Sequence, residues 1–148
     1  MPHFTLNHGP HGPMIDVIIG LSEPRFNALK AANMPMPSPV PIKALVDTGA
    51  SHSAVDPAIL KTVLQLNPRR IAKTMTPSTG ATPHKCYTYD VSIHIPMGTA
   101  TSLFSKMVWE VSGLELKHQG FDMLLGRDIL ASGILVYDGK ANTFAMAF

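Results

Sequence analysis

The chain has 148 residues, of which 45% are hydrophobic and 15% are charged, and its formal net charge is +2. A chain of this length and apolar content can bury a core, which excludes an intrinsically disordered protein. Its lysines and arginines form no block, so the concentrated basic face of a nucleic-acid-binding protein is not expected. No apolar run reaches the roughly 18 residues of a membrane-spanning helix. We therefore expect one domain over residues 1–148, with no nucleic acid and no membrane as partner.

The start of the chain, MPHFTLNHGPHG, lacks the basic and apolar stretches of a secretory signal. The single cysteine, Cys86, cannot form a disulfide within the chain. Both features favour a cytoplasmic location.

The first 39 residues are expected to form an N-terminal extension. Residues 14–20 (MIDVIIG) predict a strand, and residues 22–33 predict a short helix with Ser22 as its N-cap. Residues 34–41 (MPMPSPVP) form a proline-rich connector, because proline cannot continue a helix.

The next elements are a strand over residues 41–49, which runs into a turn, and a helix over residues 56–66. Asp56 is predicted to cap this helix, with Pro57 at its first position. A hairpin follows, with arms over residues 70–76 and 85–96. In its second arm the alternation predicts one buried face, made by Tyr87, Tyr89, Val91, Ile93 and Ile95.

The last part of the chain predicts further short strands. Residues 102–111 predict one strand, and residues 121–133 predict a strand, a glycine break and a brief helix. Asp138-Gly139 lies between two apolar runs, which favours a hairpin with a type I′ turn. The sum is an all-β fold with two or three short helices.

The apolar run ends abruptly at Asp47, Thr48 and Gly49. A carboxylate on a tight turn beside an apolar strand is a candidate for acid–base chemistry. Gly49 would allow a ligand or another stretch of backbone to approach closely. An ordinary turn aspartate would give the same three residues, because Asp and Gly are common in turns. The tripeptide alone leaves both interpretations open.

A second motif, Met123-Leu124-Leu125-Gly126-Arg127-Asp128-Ile129-Leu130, combines an apolar strand, a glycine and the start of a helix. Together with Asp-Thr-Gly-Ala at residues 47–50, and with the hairpin between the two motifs, it resembles the retropepsin-like aspartic peptidases. These are the retroviral proteases and their cellular relatives. The resemblance covers about residues 40–148. It implies an acid-protease barrel with one lobe per chain.

The resemblance implies a role for each matching residue. Asp47 matches the catalytic aspartate, and Thr48 and Gly49 complete the catalytic loop. Substrate contacts are implied for Ala50, Ser51, Thr79, Gly80, Ala81, Leu124 and Leu125, with residues 79–81 at the tip of a flap. Structural support of the site is implied for Gly126, Arg127 and Asp128.

Hydrolysis of a peptide bond by an aspartic peptidase needs two carboxyl groups. One takes a proton from water as a general base, and the other protonates the carbonyl oxygen. The chain carries a single Asp-Thr-Gly motif. The resemblance therefore implies a homodimer, in which a two-fold axis brings two copies of Asp47 together. The expected activity is that of an aspartic endopeptidase acting on a peptide or protein, without metal or cofactor. The alternative is a peptide- or protein-binding module that keeps the fold with little or no hydrolysis.

Two further expectations concern the site and the dimer. Ser51 stands where many viral members carry an acidic residue that pairs with the arginine matching Arg127, so Arg127 needs another partner, either Asp128 or a carbonyl. The uncharged run over residues 143–148 is predicted to form a strand at the dimer interface. Its large side chains, Phe144, Met146 and Phe148, share one face and should be buried.

Overall fold

The computed structural model describes residues 1–74, 82–97 and 101–148. Of these described residues, 49% lie in strands and 17% in helices, and six strands close into a β-barrel. The predicted all-β class with short helices is confirmed. Within these described residues, none of the helices has the length and apolar character needed to cross a membrane.

Most elements are strands, and short helices interrupt them at four places in the described residues. The strands of the described residues are β1 (His3–Asn7), β2 (Met14–Leu21), β3 (Val40–Val46), β4 (Ala54–Val55), β5 (Arg70–Thr74), β6 (His84–Met97), β7 (Thr101–Gly113), β8 (Met123–Leu125), β9 (Ile134–Asp138) and β10 (Thr143–Ala147). The helices are α1 (Glu23–Ala31), a π-helix (Ala58–Val63) and α2 (Arg127–Leu130), with a 3-10 turn at Lys117–Gln119.

The barrel has the strand order β2-β3-β8-β4-β7-β6, and it closes because β2 also pairs with β6. β3 runs parallel to β8 and β4 runs parallel to β7, whereas the other neighbours are antiparallel. β5 lies outside the barrel and pairs with the first half of β6. We call this two-stranded extension the β5–β6 arm.

The core follows from the alternation of apolar residues along the barrel strands. Ile15, Val17 and Ile19 of β2 are at most 3% exposed, and Ile42, Ala44 and Val46 of β3 are at most 6% exposed. Successive side chains of a strand point to opposite faces, so each strand presents one apolar face to the barrel interior.

The helix predicted over residues 56–66 is wrong in type and length. The structure has a π-helix over Ala58–Val63, in which the amide of Leu64 donates to the carbonyl of Ile59 at 2.9 Å. Gln65 then takes a left-handed conformation, with φ +52°, which ends the turn. The spacing of apolar residues also predicts a buried stripe of Ile59, Leu60, Val63 and Leu64, and all of these except Val63, which is 40% exposed, are buried.

The predicted buried face of β6 holds for four of its five residues. Tyr89, Val91, Ile93 and Ile95 are at most 1% exposed, whereas Tyr87 is 47% exposed. Tyr87 lies on the β5–β6 arm, which extends beyond the barrel and has no core beneath its outer face.

The type I′ turn predicted at Asp138-Gly139 is wrong. Asp138 pairs with Thr143, so four residues connect β9 to β10. A type I′ turn needs positive φ at both central residues, but in this connection the positive φ is that of Asn142, at +56°. The Asp138 carboxylate instead accepts hydrogen bonds from the amides of Lys140 and Ala141 at 3.0 and 2.9 Å, which stabilises the longer loop.

A second sheet gathers both ends of the chain, in the order β1-β10-β9. The predicted C-terminal strand is confirmed: Phe144 and Met146 are each 1% exposed, and Phe148 packs against the core. Its expected pairing with a second subunit is not found, because β1 and β9 of the same chain occupy both edges of β10. The sequence analysis assigned no strand to residues 3–7, and so it missed the element that covers one edge.

Candidate active site

Asp47 lies directly after the last residue of β3, where this strand runs beside β8. Val46 is paired with Leu125, and the Asp47 amide donates to the Leu125 carbonyl at 3.0 Å. The alternation of buried and more exposed residues along β3 ends with the buried Val46. The Asp47 carboxylate therefore lies at the edge of the apolar interior rather than within it. This placement agrees with the strand-to-turn prediction.

The loop after Asp47 is a tight turn organised by the aspartate itself. Its Oδ1 accepts a hydrogen bond from the Gly49 amide at 2.8 Å, and its carbonyl accepts one from the Ala50 amide at 3.3 Å. Among the described residues, Asp47 Oδ2 has no hydrogen-bond partner. One carboxylate oxygen therefore fixes the side chain, and the other remains available to water or to a second carboxyl group.

Gly126 allows the loop and the turn between β8 and α2 to touch. A Cβ atom on Gly126 would lie 2.7 Å from the carbonyl carbon of His52 and 3.0 Å from the carbonyl oxygen of Ala50. The next amide, that of Arg127, donates to the Ala50 carbonyl at 2.9 Å. The absence of a side chain at Gly126 is what lets this backbone bond form.

A hydrogen-bonded chain of side chains holds this contact. Ser53 Oγ accepts from the Gly126 amide at 3.0 Å and donates to Asp128 Oδ1 at 2.8 Å. The other oxygen, Asp128 Oδ2, accepts from the indole Nε1 of Trp109 at 3.1 Å. Ser53 is fully buried, so these bonds are shielded from competing water.

Arg127 binds a carbonyl, one of the two partners that the sequence left open. Its Nη1 donates to the Thr48 carbonyl at 3.3 Å, while Asp128 is engaged with Ser53 and Trp109. Arg127 and Asp128 thus both brace the Asp47 loop, through different groups. Their support of a catalytic site remains a prediction.

The expected substrate contacts fall into three groups. Ala50 and Ser51 lie on the loop itself, half-buried and exposed respectively. The expected flap residues, Thr79, Gly80 and Ala81, lie outside the described residues. Of the two leucines of β8, Leu124 is half-buried against a small apolar cluster, but Leu125 is 0% exposed and belongs to the core. Leu125 is therefore not placed to contact a substrate.

A cavity of about 360 Å³ lies between the Asp47 loop and the β5–β6 arm. Its walls come from the loop, the arm and β7, and are formed by Ser51, His52, Arg70, Ala72, Lys73, Thr88, Glu110, Val111 and Ser112. Another cavity of about 250 Å³ lies between α1 and the π-helix, and no carboxylate lines it. The first cavity is the better candidate for a substrate cleft, because the loop that carries Asp47 forms one of its walls.

An ion pair crosses the wall of this cavity. The Arg70 guanidinium donates two hydrogen bonds to the Glu110 carboxylate, at 2.9 and 2.5 Å, and Thr88 Oγ1 donates a third at 3.1 Å. The Arg70 hydrogen bonds are the largest influence on the carboxylate and lower the pKa of Glu110 to about 2, although partial burial opposes them. The same contact raises the pKa of Arg70.

Asp56 anchors a neighbouring segment rather than the reaction site. Its Oδ1 accepts from the Ala58 amide at 2.9 Å, and its Oδ2 accepts from the amides of Leu116 and Lys117 at 2.8 and 2.9 Å. Burial raises the pKa of Asp56, but these three backbone donors outweigh it and lower the pKa below its usual value. The predicted capping is wrong in register, because Pro57 rather than Asp56 occupies the N-cap position. Asp56 instead ties the start of the π-helix to the segment after β7.

Ser53, Trp109, Arg70 and Glu110 were missed as site residues in the sequence. Each acts through a partner at least 19 positions away, and local patterns carry no signal for such pairs. Within the described ranges, no group of three or more His, Cys, Asp or Glu side chains could hold a metal ion.

A search against models of protein families and a search of curated proteins both found no match to the chain.

Replacing Gly126 with alanine tests the close approach. We expect Gly126→Ala to lower the free energy of unfolding by about 1–3 kcal/mol, because the new methyl group meets backbone that cannot rotate away. Gly139→Ala is the matched control, since its Cβ would have its nearest neighbour at 3.7 Å. Urea denaturation of both variants measures the difference, and equal stabilities would contradict the proposed contact.

The Arg70–Glu110 pair predicts a stability loss in acid. The pKa of Glu110 is lower in the folded protein than its ordinary value of 4.5, so the unfolded chain binds more protons between pH 4.5 and pH 2. Glu110→Gln should therefore have a lower free energy of unfolding than the wild type near neutral pH. The difference between the two free energies should narrow as the pH falls through this range.

Urea denaturation at a series of pH values measures this gap. Glu115→Gln, at an exposed position with no ion pair among the described residues, is the control and should show no such trend. A gap for Glu110→Gln that stays constant down to pH 2 would contradict the assignment.

Proposed function

We propose that the chain is a retropepsin-like aspartic endopeptidase that acts as a homodimer, with one Asp47 from each subunit. The observation that supports this most is the Asp47 loop. One carboxylate oxygen is fixed by the Gly49 amide, the other is unbonded among the described residues, and the loop is braced from below by the Gly126 turn. The bond to Gly49 alone is that of an ordinary turn aspartate, as at Asp138, and the close backbone contact at Gly126 is what distinguishes this loop.

The proposed reaction uses the two carboxyl groups in complementary states. One Asp47, ionised, removes a proton from a water molecule, and the water oxygen bonds to the carbon of the scissile carbonyl. The other Asp47, protonated, donates its proton to the carbonyl oxygen. Collapse of the tetrahedral intermediate breaks the carbon–nitrogen bond, and the proton taken from water passes to the leaving amine. As the carbonyl forms again, one hydroxyl of the intermediate returns its proton to the second Asp47.

A peptide is the substrate proposed for this cleft. The cavity lies between the Asp47 loop and the β5–β6 arm, and both segments carry backbone amides and carbonyls. An extended peptide can satisfy such groups by hydrogen bonding, and the lining residues then contact its side chains. A location in the cytoplasm remains a prediction of the sequence.

A binding module without hydrolysis is the second candidate, and one observation favours it. Within a single chain, Asp47 has no second carboxylate as a hydrogen-bond partner among the described residues, and Asp128 is committed to Ser53 and Trp109. A monomer with this site could hold a peptide but could not cleave it by the two-carboxylate route. The oligomeric state therefore separates the two candidates.

We place the dimer contact of the proposed enzyme at β9. This strand forms one edge of the terminal sheet, and Ile134, Val136 and Tyr137 are 55%, 54% and 62% exposed. An exposed apolar edge invites pairing with another chain. Since β10 is enclosed within its own chain, pairing of β9 with its symmetry-related copy would build one continuous sheet across the two-fold axis.

Asp47→Asn tests the catalytic assignment. We expect cleavage of a peptide library to fall by at least about a hundredfold, because the substitution removes both acid–base groups of the dimer at once. The melting temperature should change little. Asp16→Asn, which removes only an exposed ion pair with Lys43, should keep full activity. Undiminished cleavage by Asp47→Asn would rule out the proposed mechanism.

Val136→Lys tests the dimer contact. A lysine on each copy of β9 would place like charges at the proposed contact, so we expect the variant to sediment as a monomer with its fold intact. Val108→Lys is the matched control, because Val108 is 45% exposed on β7 and lies away from the terminal sheet. If Val136→Lys still sediments as an active dimer, the contact lies elsewhere.

A further inference from the structure

The charges of the chain are unevenly distributed along its sequence. Between Asp56 and Asp90 there is no acidic residue, yet this stretch contains Lys61, Arg69, Arg70, Lys73 and Lys85. The remainder of the chain has seven basic and ten acidic residues, since the totals are 12 and 10. The net charge of +2 thus hides a basic segment, which comprises the π-helix and the β5–β6 arm.

The two arginines of this segment are already neutralised. Arg69 Nη1 lies 3.1 Å from Asp90 and Arg70 forms the paired bonds to Glu110, both on the face of the arm that looks towards the cavity. By alternation, Lys73 and Lys85 project from the opposite face of the strand pair, although Lys73 also contributes to the wall of the cavity. They are therefore the uncompensated part of the segment.

The outer face of the arm consists of two cross-strand pairs. Ile71 is directly opposite Tyr87, and Lys73 is directly opposite Lys85. Residues two positions apart on a strand share a face, so the four side chains project from the same side. The ammonium group of Lys61 lies 5.7 Å from the centre of the Tyr87 ring and adds a third positive charge.

This arrangement is unfavourable for the isolated protein. Like charges directly opposite each other destabilise a strand pair. Among the described residues, neither Lys73 nor Lys85 has an acidic partner within ion-pair distance. Ile71 is 61% exposed and Tyr87 47% exposed, so apolar surface and unpaired positive charge occur side by side. An acidic ligand with some apolar side chains would both pair with the lysines and cover the exposed apolar surface.

The edge of β5 indicates what kind of acidic ligand fits. In the described part of the chain β5 pairs only with β6, so the amides and carbonyls on its other edge have no strand partner. An extended peptide can add to such an edge through backbone hydrogen bonds. A nucleic acid cannot pair with it in this way.

From these observations we propose that the outer face of the β5–β6 arm docks an extended, acidic segment of a protein chain. The segment pairs with the edge of β5, its carboxylates bind Lys73 and Lys85, and its apolar side chains cover Ile71 and Tyr87. The surface borders the cavity at Lys73, which contributes to both, and the proposal does not depend on hydrolysis.

The test measures binding by fluorescence anisotropy on the full-length protein. The probe is a labelled short peptide that alternates Glu and Val. We expect the double variant Lys73→Glu/Lys85→Glu to bind it at least roughly tenfold more weakly than the wild type at low salt, because two attractive charges become repulsive. The double control Lys30→Glu/Lys140→Glu changes the net charge equally at exposed sites and should keep the wild-type affinity.

Folding is separated from binding by the single variant Lys73→Glu. It turns the like-charged pair into an opposite-charged pair with Lys85, so its melting temperature should rise while its affinity for the probe falls. A rise in melting temperature with a loss of binding supports the proposal. A variant whose arm is misfolded would instead lose thermal stability together with its affinity for the probe.

Several results would overturn the proposal. These are no measurable binding of the Glu–Val peptide, an equal loss in the control variant, or an unchanged affinity in the Lys73→Glu/Lys85→Glu variant. Equal binding of a peptide whose backbone amides are methylated would refute pairing with β5. Tighter binding of a single-stranded RNA, lost in the same variant, would assign the surface to nucleic acid instead.

Discussion

The contact of two backbone segments at Gly126 is the constraint on which the rest of the site depends. The Asp47 loop and the β8–α2 turn approach so closely that any side chain at Gly126 would overlap the backbone of His52. The Arg127 amide and the Ser53 hydroxyl then fasten the two segments together. Without this contact, β3 would still end at the same place and Gly49 would still bind the carboxylate, but the loop would lose its attachment to the β8–α2 turn.

The same contact connects the site to the terminal sheet. Trp109, which donates to Asp128, packs edge-on against Phe104 at 6.2 Å between ring centres, and Phe104 in turn contacts Phe148 at 4.9 Å. Phe148 therefore packs, through Phe104, against Trp109, which supports the Asp47 loop by way of Asp128. If subunits associate through this sheet, their association and the geometry of the loop share a continuous set of packed side chains.

The parts that could be predicted from the sequence are those encoded by neighbouring residues. The end of β3 at Asp47 and the strand–glycine–helix order around Gly126 are such parts, because alternation and a glycine break are local signals. The pairing of β1 with β10 could not be predicted, since it joins residues from opposite ends of the chain. The bond from Trp109 to Asp128 is of the same kind, and a single sequence gives no indication of which distant side chains will meet.

The central claim is that each active site needs one Asp47 from each of two chains, and mixing subunits tests it most directly. Wild-type and Asp47→Asn chains are unfolded together, refolded in varying proportions and assayed for peptide cleavage. If both carboxyl groups are required, mixed dimers are inactive, and activity falls with the square of the wild-type fraction. Activity that falls in direct proportion to the wild-type fraction would contradict the account, because each chain would then carry a complete site of its own.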